Sequence, residues 1–157
     1  MASGVSGTRG GAVNNISALG LKLENSVDES RFDFQDKRYG KYAAELAHRV
    51  NHMVLPGEQI LSYTKGNNIA YAYIDPETDT LFDIFSTGGG TGTDLLVKLM
   101  QYQQSRGRGL NWIAERKTSQ KYYDDYLGLK KYGEGTMDRY YNIPASEMAE
   151  VIKKIKK

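Results

Sequence analysis

The strongest constraint on the fold is a strand, glycine loop, helix and strand that follow one another between residues 80 and 114. Thr80–Phe85 has the pattern of an apolar strand, Gly88–Gly92 follows it, and Leu110–Ala114 is a second apolar strand. The helix between them is predicted to bury one face, made of Leu95, Leu96, Leu99, Met100 and Gln103. Strands joined by a helical crossover lie parallel in nearly all proteins. The two strands are therefore predicted to be parallel neighbours.

The segments on either side predict further strands and helices. Apolar residues at three- and four-residue steps predict a helix over Asp36–Val54. Gln59–Thr64 and Ile69–Ile74 precede the strand that begins at residue 80 and form an antiparallel meander with it. A last strand over Met137–Ile143 and a helix opened by Pro144 end the chain. The predicted fold class is α+β (mixed α/β), with a single central mixed sheet flanked by helices.

Residues 1–30 are predicted to form an N-terminal arm, and residues 31–157 the folded domain. Met1–Asn15 consists mainly of Gly, Ser, Ala, Thr and Asn, so it has little apolar surface to bury. Ordering a chain costs about 1–2 kcal/mol per residue, which such a segment cannot offset alone. Ile16–Leu23 is a short apolar patch, either a strand or an anchor. We therefore expect residues 1–30 to pack on other protein chains.

The composition excludes several classes of function. The chain has no cysteine, which excludes disulfides, a cysteine nucleophile and thiolate metal sites. Its 21 basic and 19 acidic residues give a net charge of +2, so nucleic-acid binding is not indicated. No apolar run approaches the roughly 20 residues of a membrane span, so no membrane association is predicted.

The glycine loop indicates an anion-binding site. Glycines allow close approach to the backbone, and the first turn of the next helix offers amide groups and the positive end of its dipole. A Walker A loop is excluded because no Lys follows the glycines. A dinucleotide-binding loop is disfavoured because Thr93 stands where the third glycine belongs. A flexible turn capped by Thr91 or Thr93 is an open alternative.

The spacing Gly88-x-Gly90-x-Gly92-x-x-Leu95-Leu96 resembles the R-G-x-G-x-G-x-x-L-L pattern of the GNAT family of N-acetyltransferases. Two later segments, Tyr122–Leu129 and Arg139–Ile143, resemble that family's F-Y-x-x-x-G-F segment and last strand. The resemblance implies a GNAT-like fold and acetyl-CoA as cofactor, with its diphosphate bound by backbone amides. The implied cofactor-binding residues are Thr87, Gly88, Gly89, Gly90, Thr91, Gly92 and Thr93.

The resemblance also implies a proton donor for the leaving thiolate. Counting back from Gly128 without a gap, the family's general-acid Tyr falls on Asp124, and a shift of one residue offers Tyr123. An ionised Asp is a poor proton donor at neutral pH, because its ordinary pKa is about 3.9. Tyr123 is therefore the candidate acid.

A base and a diphosphate-facing cation are the remaining parts of such a site. Asp83 and Glu115, near the ends of two strands, are the candidate bases, and a solvated carboxylate or a salt bridge is the alternative for each. The Arg of the family's loop pattern falls on Thr87, which carries no charge. Arg106 and Arg108 are the candidate substitutes for that charge.

Two further patterns favour a structural role. His48 and His52 have the four-residue spacing of zinc proteases, but Arg49 stands where those enzymes need Glu and the chain has no third His. A surface helix without metal is therefore predicted. The 12 tyrosines lie mostly at core spacings, with Tyr71 and Tyr73 on one sheet face, and an aromatic binding surface is the alternative.

Two functions follow from the resemblance. The chain also resembles, more weakly, GNAT-like internal virion proteins of short-tailed phages. The missing Arg in the loop and the Asp at the acid position are typical of a catalytically degenerate site. We therefore expect a structural component of a larger assembly such as a phage virion, located in the virion or the cytoplasm. The alternative is an active acetyl-CoA-dependent N-acetyltransferase on an unknown amine.

Overall fold

The computed structural model of the protein describes residues 16–114, 120–134 and 139–156. Within these residues, seven strands form one mixed sheet in the order β1-β2-β3-β4-β5-β7-β6. The strands are β1 (Lys22–Glu24), β2 (Gln59–Lys65), β3 (Asn68–Asp75), β4 (Thr80–Ser86), β5 (Leu110–Ala114), β6 (Lys130–Glu134) and β7 (Arg139–Ile143). The α-helices are α1 (Ala43–Val50), α2 (Thr91–Ser105) and α3 (Met148–Lys156). The predicted fold class is confirmed.

Both faces of the sheet are covered. The sequence of β3 is consistent with this, because its residues are apolar or aromatic on both faces. Ala70, Ala72 and Ile74 point to one face and pack with α2 and α3 in the larger apolar core. Tyr71 and Tyr73 point to the other face, in a second core with residues of α1. These tyrosines are only 2% and 1% exposed, so they are core residues and not a binding surface.

The predicted parallel pair is confirmed. β4 and β5 are parallel neighbours, and α2 connects them. The five residues predicted to form the inner face of α2 are all buried: Leu95, Leu96, Leu99, Met100 and Gln103. The Gln103 amide donates hydrogen bonds to the Asp79 carboxylate at 2.8 Å and to the Gly109 carbonyl at 2.7 Å. These bonds attach the end of α2 to the turns that precede β4 and β5.

A bulge in β4 ends the parallel pairing. Ile74 of β3 pairs with Leu81, but Tyr73 pairs with Asp83, so Phe82 is an extra residue. A bulge bends its strand and increases the local twist. The ladder between β4 and β5 has its two partner pairs at Thr80↔Asn111 and Leu81↔Trp112, directly before the bulge. Within the described residues no further pair joins the two strands beyond it, and a cleft lies between the end of β4 and the start of α2.

Two predicted elements differ from the structure. The helix predicted over Asp36–Val54 is shorter, because the Asp36 carboxylate bonds the backbone amide of Arg38 and holds a local turn there. At the other end Asn51 leaves the helical conformation, and Met53 is 78% exposed. Strand β6 was not predicted, since its sequence KKYGE has no apolar alternation. It belongs to the sheet through its antiparallel pairing with β7.

Part of the predicted arm packs on the domain itself. β1 pairs with β2 as an edge strand, and the neighbouring Leu21 is buried in the larger core. The Asp28 amide donates a 3.1 Å hydrogen bond to the Tyr71 hydroxyl. Residues 16–30 therefore contact their own domain, while residues 1–15 lie outside the described residues. The expected contact with another chain, and the structural role in an assembly, stay predictions.

The C-terminal helix is confirmed with its predicted start. Pro144 precedes a 3₁₀ turn over Ala145–Glu147, and α3 follows. Met148, Val151 and Ile152 of α3 are buried against the larger core. No described helix has the length and apolar character needed to cross a membrane.

Candidate functional site

The glycine loop has a backbone that only glycine adopts easily. Gly88, Gly89 and Gly90 have φ angles of 121°, 68° and 74°. Gly90 is the residue before the first turn of α2, so no side chain caps the helix. Thr91 instead donates its hydroxyl to the Gly88 carbonyl at 2.7 Å, which closes the loop from inside. The predicted capping by Thr91 or Thr93 is therefore wrong, and the helix start keeps unsatisfied amides.

Four amides of the loop are available to a ligand. Among the described residues, no group accepts a hydrogen bond from the backbone N–H of Gly89, Gly90, Gly92 or Thr93. A Cβ atom built on Gly90 would have no heavy atom within 4 Å, so the outer side of the loop is open. Free amides at the positive end of a helix are the groups that bind phosphate oxygens. The arrangement fits an anionic ligand.

Thr87 does not face this ligand space. Its amide donates to the Ile69 carbonyl at 3.0 Å, and its hydroxyl donates to Asn68 Oδ1 at 3.0 Å and accepts from the Ile69 amide. These bonds extend the ladder between β3 and β4 by one residue. Both the amide and the side chain of Thr87 are engaged with β3, and its predicted contact with the cofactor stays a prediction.

The cleft beside β4 and the start of α2 has a volume of about 250 Å³. Its walls are mainly aromatic and aliphatic, with a few polar groups, which is typical of small-molecule sites. Residues from β4, α2, the segment before α1 and the turn after β5 meet here: Tyr42, Ile84, Phe85, Ser86, Gly92, Thr93, Leu96, Tyr122 and Tyr123. Tyr42, Ser86 and Tyr122 were not predicted as site residues from the sequence. Ser86 was detectable as the last strand residue before the loop.

Tyr123 lines the cleft and Asp124 does not. Residues 122–126 form a π-helical turn in which the Leu127 amide bonds the Tyr122 carbonyl, five residues back. A π turn contains one residue more than an α turn, which accounts for the one-residue shift needed to bring Tyr123 to the acid position. Asp124 accepts a 2.9 Å hydrogen bond from the Tyr141 hydroxyl.

The environment of Tyr123 keeps its phenol neutral at physiological pH. Its ring contacts Trp112 and Tyr141 edge-on, with centroids 5.2 and 5.1 Å away. Burial raises the pKa of Tyr123, and the positive charge of Arg49 offsets only part of that effect. A neutral phenol at the edge of the cleft is able to donate a proton.

Asp83 belongs to a charged cluster on the α1 side of β4. His52 lies between two carboxylates, with Nδ1 2.9 Å from Asp83 and Nε2 3.0 Å from Glu58. Arg49 lies 3.6 Å from Asp83, bonds Glu45 at 2.8 Å and donates to the Ile84 carbonyl at 3.0 Å. Burial lowers the pKa of Arg49, but these partners outweigh burial and hold that pKa above its ordinary value.

The cluster corrects the prediction for the histidines. His48 is exposed on α1, but His52 follows the helix end and stacks on Tyr73 with ring centroids 4.3 Å apart. The two rings therefore do not share a helix face. His52 is a partner of Asp83 and not a surface residue. No group of three or more potential metal-ligating side chains occurs within the described ranges.

The remaining predicted residues lie elsewhere. Glu115 lies outside the described residues. Arg106 bonds the Pro76 carbonyl at 3.0 Å, and Arg108 bonds Asp79 at 2.7 Å. Both arginines therefore hold the end of α2, a helix of 15 residues that is about 22 Å long. They do not supply the charge missing from position 87.

Comparison with solved structures finds similar chains. The N-acetyltransferase PseH of Campylobacter jejuni is similar in structure, with a TM-score of 0.47 and 10% sequence identity. The superposition covers 80% of this chain and 98% of that one. No family model and no curated protein matches the chain. The resemblance to phage virion proteins stays a prediction.

Proposed function

We propose that the protein has a GNAT fold and transfers an acetyl group from acetyl-CoA to an amine. One observation carries this proposal: the cleft beside β4 brings Gly92 and Thr93, at the start of α2, together with Tyr123. The parallel pair, its bulge and the free amides support this proposal. An active site is favoured over a degenerate one, because the π turn accounts for one extra residue between Tyr123 and Gly128. With that residue allowed for, the candidate acid is Tyr123 and not Asp124.

The residues present fit the cofactor. The diphosphate has the unbonded amides of Gly89, Gly90, Gly92 and Thr93 as donors, at the positive end of α2. The less polar pantetheine arm has Ile84 and other apolar cleft residues as neighbours. When bound, the cofactor supplies a thioester carbonyl as the electrophile.

Two side chains would handle the protons of the reaction. With the cofactor bound, the amine would take the acetyl group and the thiol would leave. Asp83, held by His52 and Arg49, would accept the amine proton; it lies outside the cleft lining, so water would carry that proton. Tyr123 would donate a phenolic proton to the leaving thiolate.

Calorimetry with acetyl-CoA tests the proposal, with Thr93→Glu as the informative variant. Thr93 is the third residue of α2, where an acidic side chain stabilises a helix start. The variant should therefore fold normally while placing a carboxylate where the diphosphate binds. We expect micromolar binding by the wild type, about −8 kcal/mol, and at least a tenfold loss in Thr93→Glu.

Thr93→Gln is the matched control, because it has nearly the same size without the charge. It should bind acetyl-CoA within about threefold of the wild type, which is a change of less than about 1 kcal/mol in binding free energy. Gly90→Asp is a poorer choice, because the positive φ of Gly90 strains any replacement. Absence of acetyl-CoA binding by the wild type, or equal binding by wild type and Thr93→Glu, would contradict the proposal.

A further inference from the structure

The indole of Trp112 has a buried N–H group that is left without a partner. Trp112 lies in the middle of β5 and is 4% exposed. Within the part of the chain that the structure describes, its Nε1 is the one buried side-chain nitrogen or oxygen that makes no hydrogen bond. A buried tryptophan usually finds a partner for this group, because an unpaired donor away from water costs free energy. Exceptions of this kind are typical of sites where chemistry takes place.

The indole is in contact with the candidate acid of the cleft. The rings of Trp112 and Tyr123 meet edge-on with centroids 5.2 Å apart, and Trp112 stacks on Tyr141 at 5.7 Å. Tyr123 is one of the described residues that line the cleft, whereas Trp112 is not. Any influence of Trp112 on the cleft is therefore exerted through Tyr123.

The phenol of Tyr123 is sensitive to a donor at this position. Burial raises the pKa of Tyr123, the charge of Arg49 on α1 lowers it, Tyr122 in the same turn raises it, and the Trp112 indole lowers it as a hydrogen-bond donor. A donor lowers a phenol pKa because it favours the charged form. A hydrogen bond to an anion is about twice as strong as one between neutral groups. The indole N–H therefore gains a strong partner when the phenol loses its proton.

We propose that Trp112 is a positioning residue for acetyl transfer, and that its indole N–H bonds the phenolate of Tyr123 once that residue has given up its proton. The inference rests on the proposed function. In this step the phenolic O–H bond breaks, and the leaving sulfur takes up the proton. Trp112 keeps its own proton throughout, and solvent then returns a proton to the phenolate. A bond that forms only as charge develops lowers the barrier without tightening the binding of substrate.

Replacing tryptophan by benzothienylalanine tests this role at one atom. The chain has a single tryptophan, so the replacement changes only residue 112. The analogue has sulfur in place of the N–H group and nearly the same shape, so the packing is kept. With a panel of primary amines, kcat for thiol release should fall about tenfold, because a bond to a charged group is lost. The KM for acetyl-CoA should stay unchanged.

The pH profile separates the loss of a donor from a structural defect. Activity is lost as the pH rises through the pKa of Tyr123, since the acid must be protonated. Loss of the Trp112 donor raises that pKa, so the alkaline limb of kcat should move to higher pH by about one unit. Looser packing would expose the phenol to water, and the limb would move to lower pH.

A second readout needs no substrate. With fluorotyrosine at all 12 tyrosine positions, fluorine NMR follows the ionisation of each phenol, and Tyr123→Phe identifies the Tyr123 signal. The benzothienylalanine protein should show a higher midpoint for Tyr123. Tyr73 is the internal control, because burial in the other core raises its pKa to about 12 without help from Trp112. Its midpoint should not change.

Tyr141→Phe is the matched variant within the same aromatic cluster. Its ring also contacts Trp112 and Tyr123, but its hydroxyl bonds Asp124 and the Gln120 carbonyl. It should keep the wild-type midpoint of Tyr123 and the wild-type alkaline limb. An unchanged midpoint or an unchanged kcat in the benzothienylalanine protein would overturn the role of Trp112 and leave the proposed function standing. Absence of acetyl transfer by the wild type would overturn the proposed function, and this role with it.

Discussion

Tyr123 and Asp124 are neighbours in sequence but face different surroundings. Tyr123 lines the cleft, while Asp124 accepts a hydrogen bond from Tyr141, a fully buried residue of β7. The π turn produces this separation, because it rotates the two side chains relative to an α-helical turn. The candidate acid therefore depends on how many residues one turn contains.

Tyr123→Phe and Asp124→Asn separate the two assignments. Loss of the phenolic proton in Tyr123→Phe should lower kcat by about 10²-fold and leave acetyl-CoA affinity unchanged, because general acids contribute 10²–10⁴-fold. Asp124→Asn keeps an acceptor for Tyr141 and should retain most of the rate. Thiol release from acetyl-CoA in the presence of a panel of primary amines measures both. The reverse pattern of losses would assign the acid role to Asp124.

For single residues, features that depend on sequence neighbours could be predicted, but contacts between residues distant in the chain could not. The glycine loop at a helix start follows from residue type and order, and the alternatives Tyr123 and Asp124 follow from the resemblance to the GNAT family. Thr87 was assigned to the ligand because nothing local shows that Asn68 and Ile69 engage it. The role of His52 depends on Asp83, which lies 31 positions away in the chain and meets it only in the folded sheet.

The bulge at Phe82 lies where the pairing of β4 with β5 ends, and we infer that it opens the cleft. Deleting Phe82 would make Ile74↔Leu81 and Tyr73↔Asp83 consecutive pairs, so each remaining side chain keeps its sheet face. Phe82 is 37% exposed and belongs to neither apolar core, so its removal leaves both cores intact. We expect the deletion variant to fold, to let β4 and β5 pair further, and to lose acetyl-CoA binding by more than tenfold in calorimetry.

Phe82→Ala is the control for this deletion, because it removes the side chain and keeps the extra backbone residue. It should bind acetyl-CoA like the wild type. Binding by the deletion variant at wild-type strength would show that the bulge does not create the site. An unfolded deletion variant, detected by far-UV circular dichroism, would show that the bulge is needed for the sheet itself.

The elements that could be predicted are those with a regular apolar pattern. β2, β3, β4 and α2 each alternate or repeat clearly, and their bounds lie within a residue or two of the prediction. The helix over Asp36–Val54 was overextended, because a periodic pattern does not show that Asp side chains hold backbone turns instead. β6 gave no signal, since its place is fixed by pairing with β7 and not by its own residues.

Residues 16–30 pack on the rest of the domain, so removing them is expected to lower its thermal stability. A chain that begins at residue 31 loses β1 and the buried Leu21. Burial of one Leu is worth about 1.5–3 kcal/mol, and 1 kcal/mol shifts the Tm of a chain this long by about 2–4 °C. Relative to a chain that begins at residue 16, Tm should fall by at least about 3 °C in calorimetry. An unchanged Tm would restore the view that residues 16–30 serve only a partner.

The narrow junction between β4 and β5 also determines the order in which the sheet can assemble. β2, β3 and β4 are joined by short turns, so their pairings are local in sequence and form early. β5 joins them through two residue pairs and the docking of α2, which closes a much longer loop. The cleft exists only between these two halves. It is therefore completed late in folding, when the second half docks on a meander that is already formed.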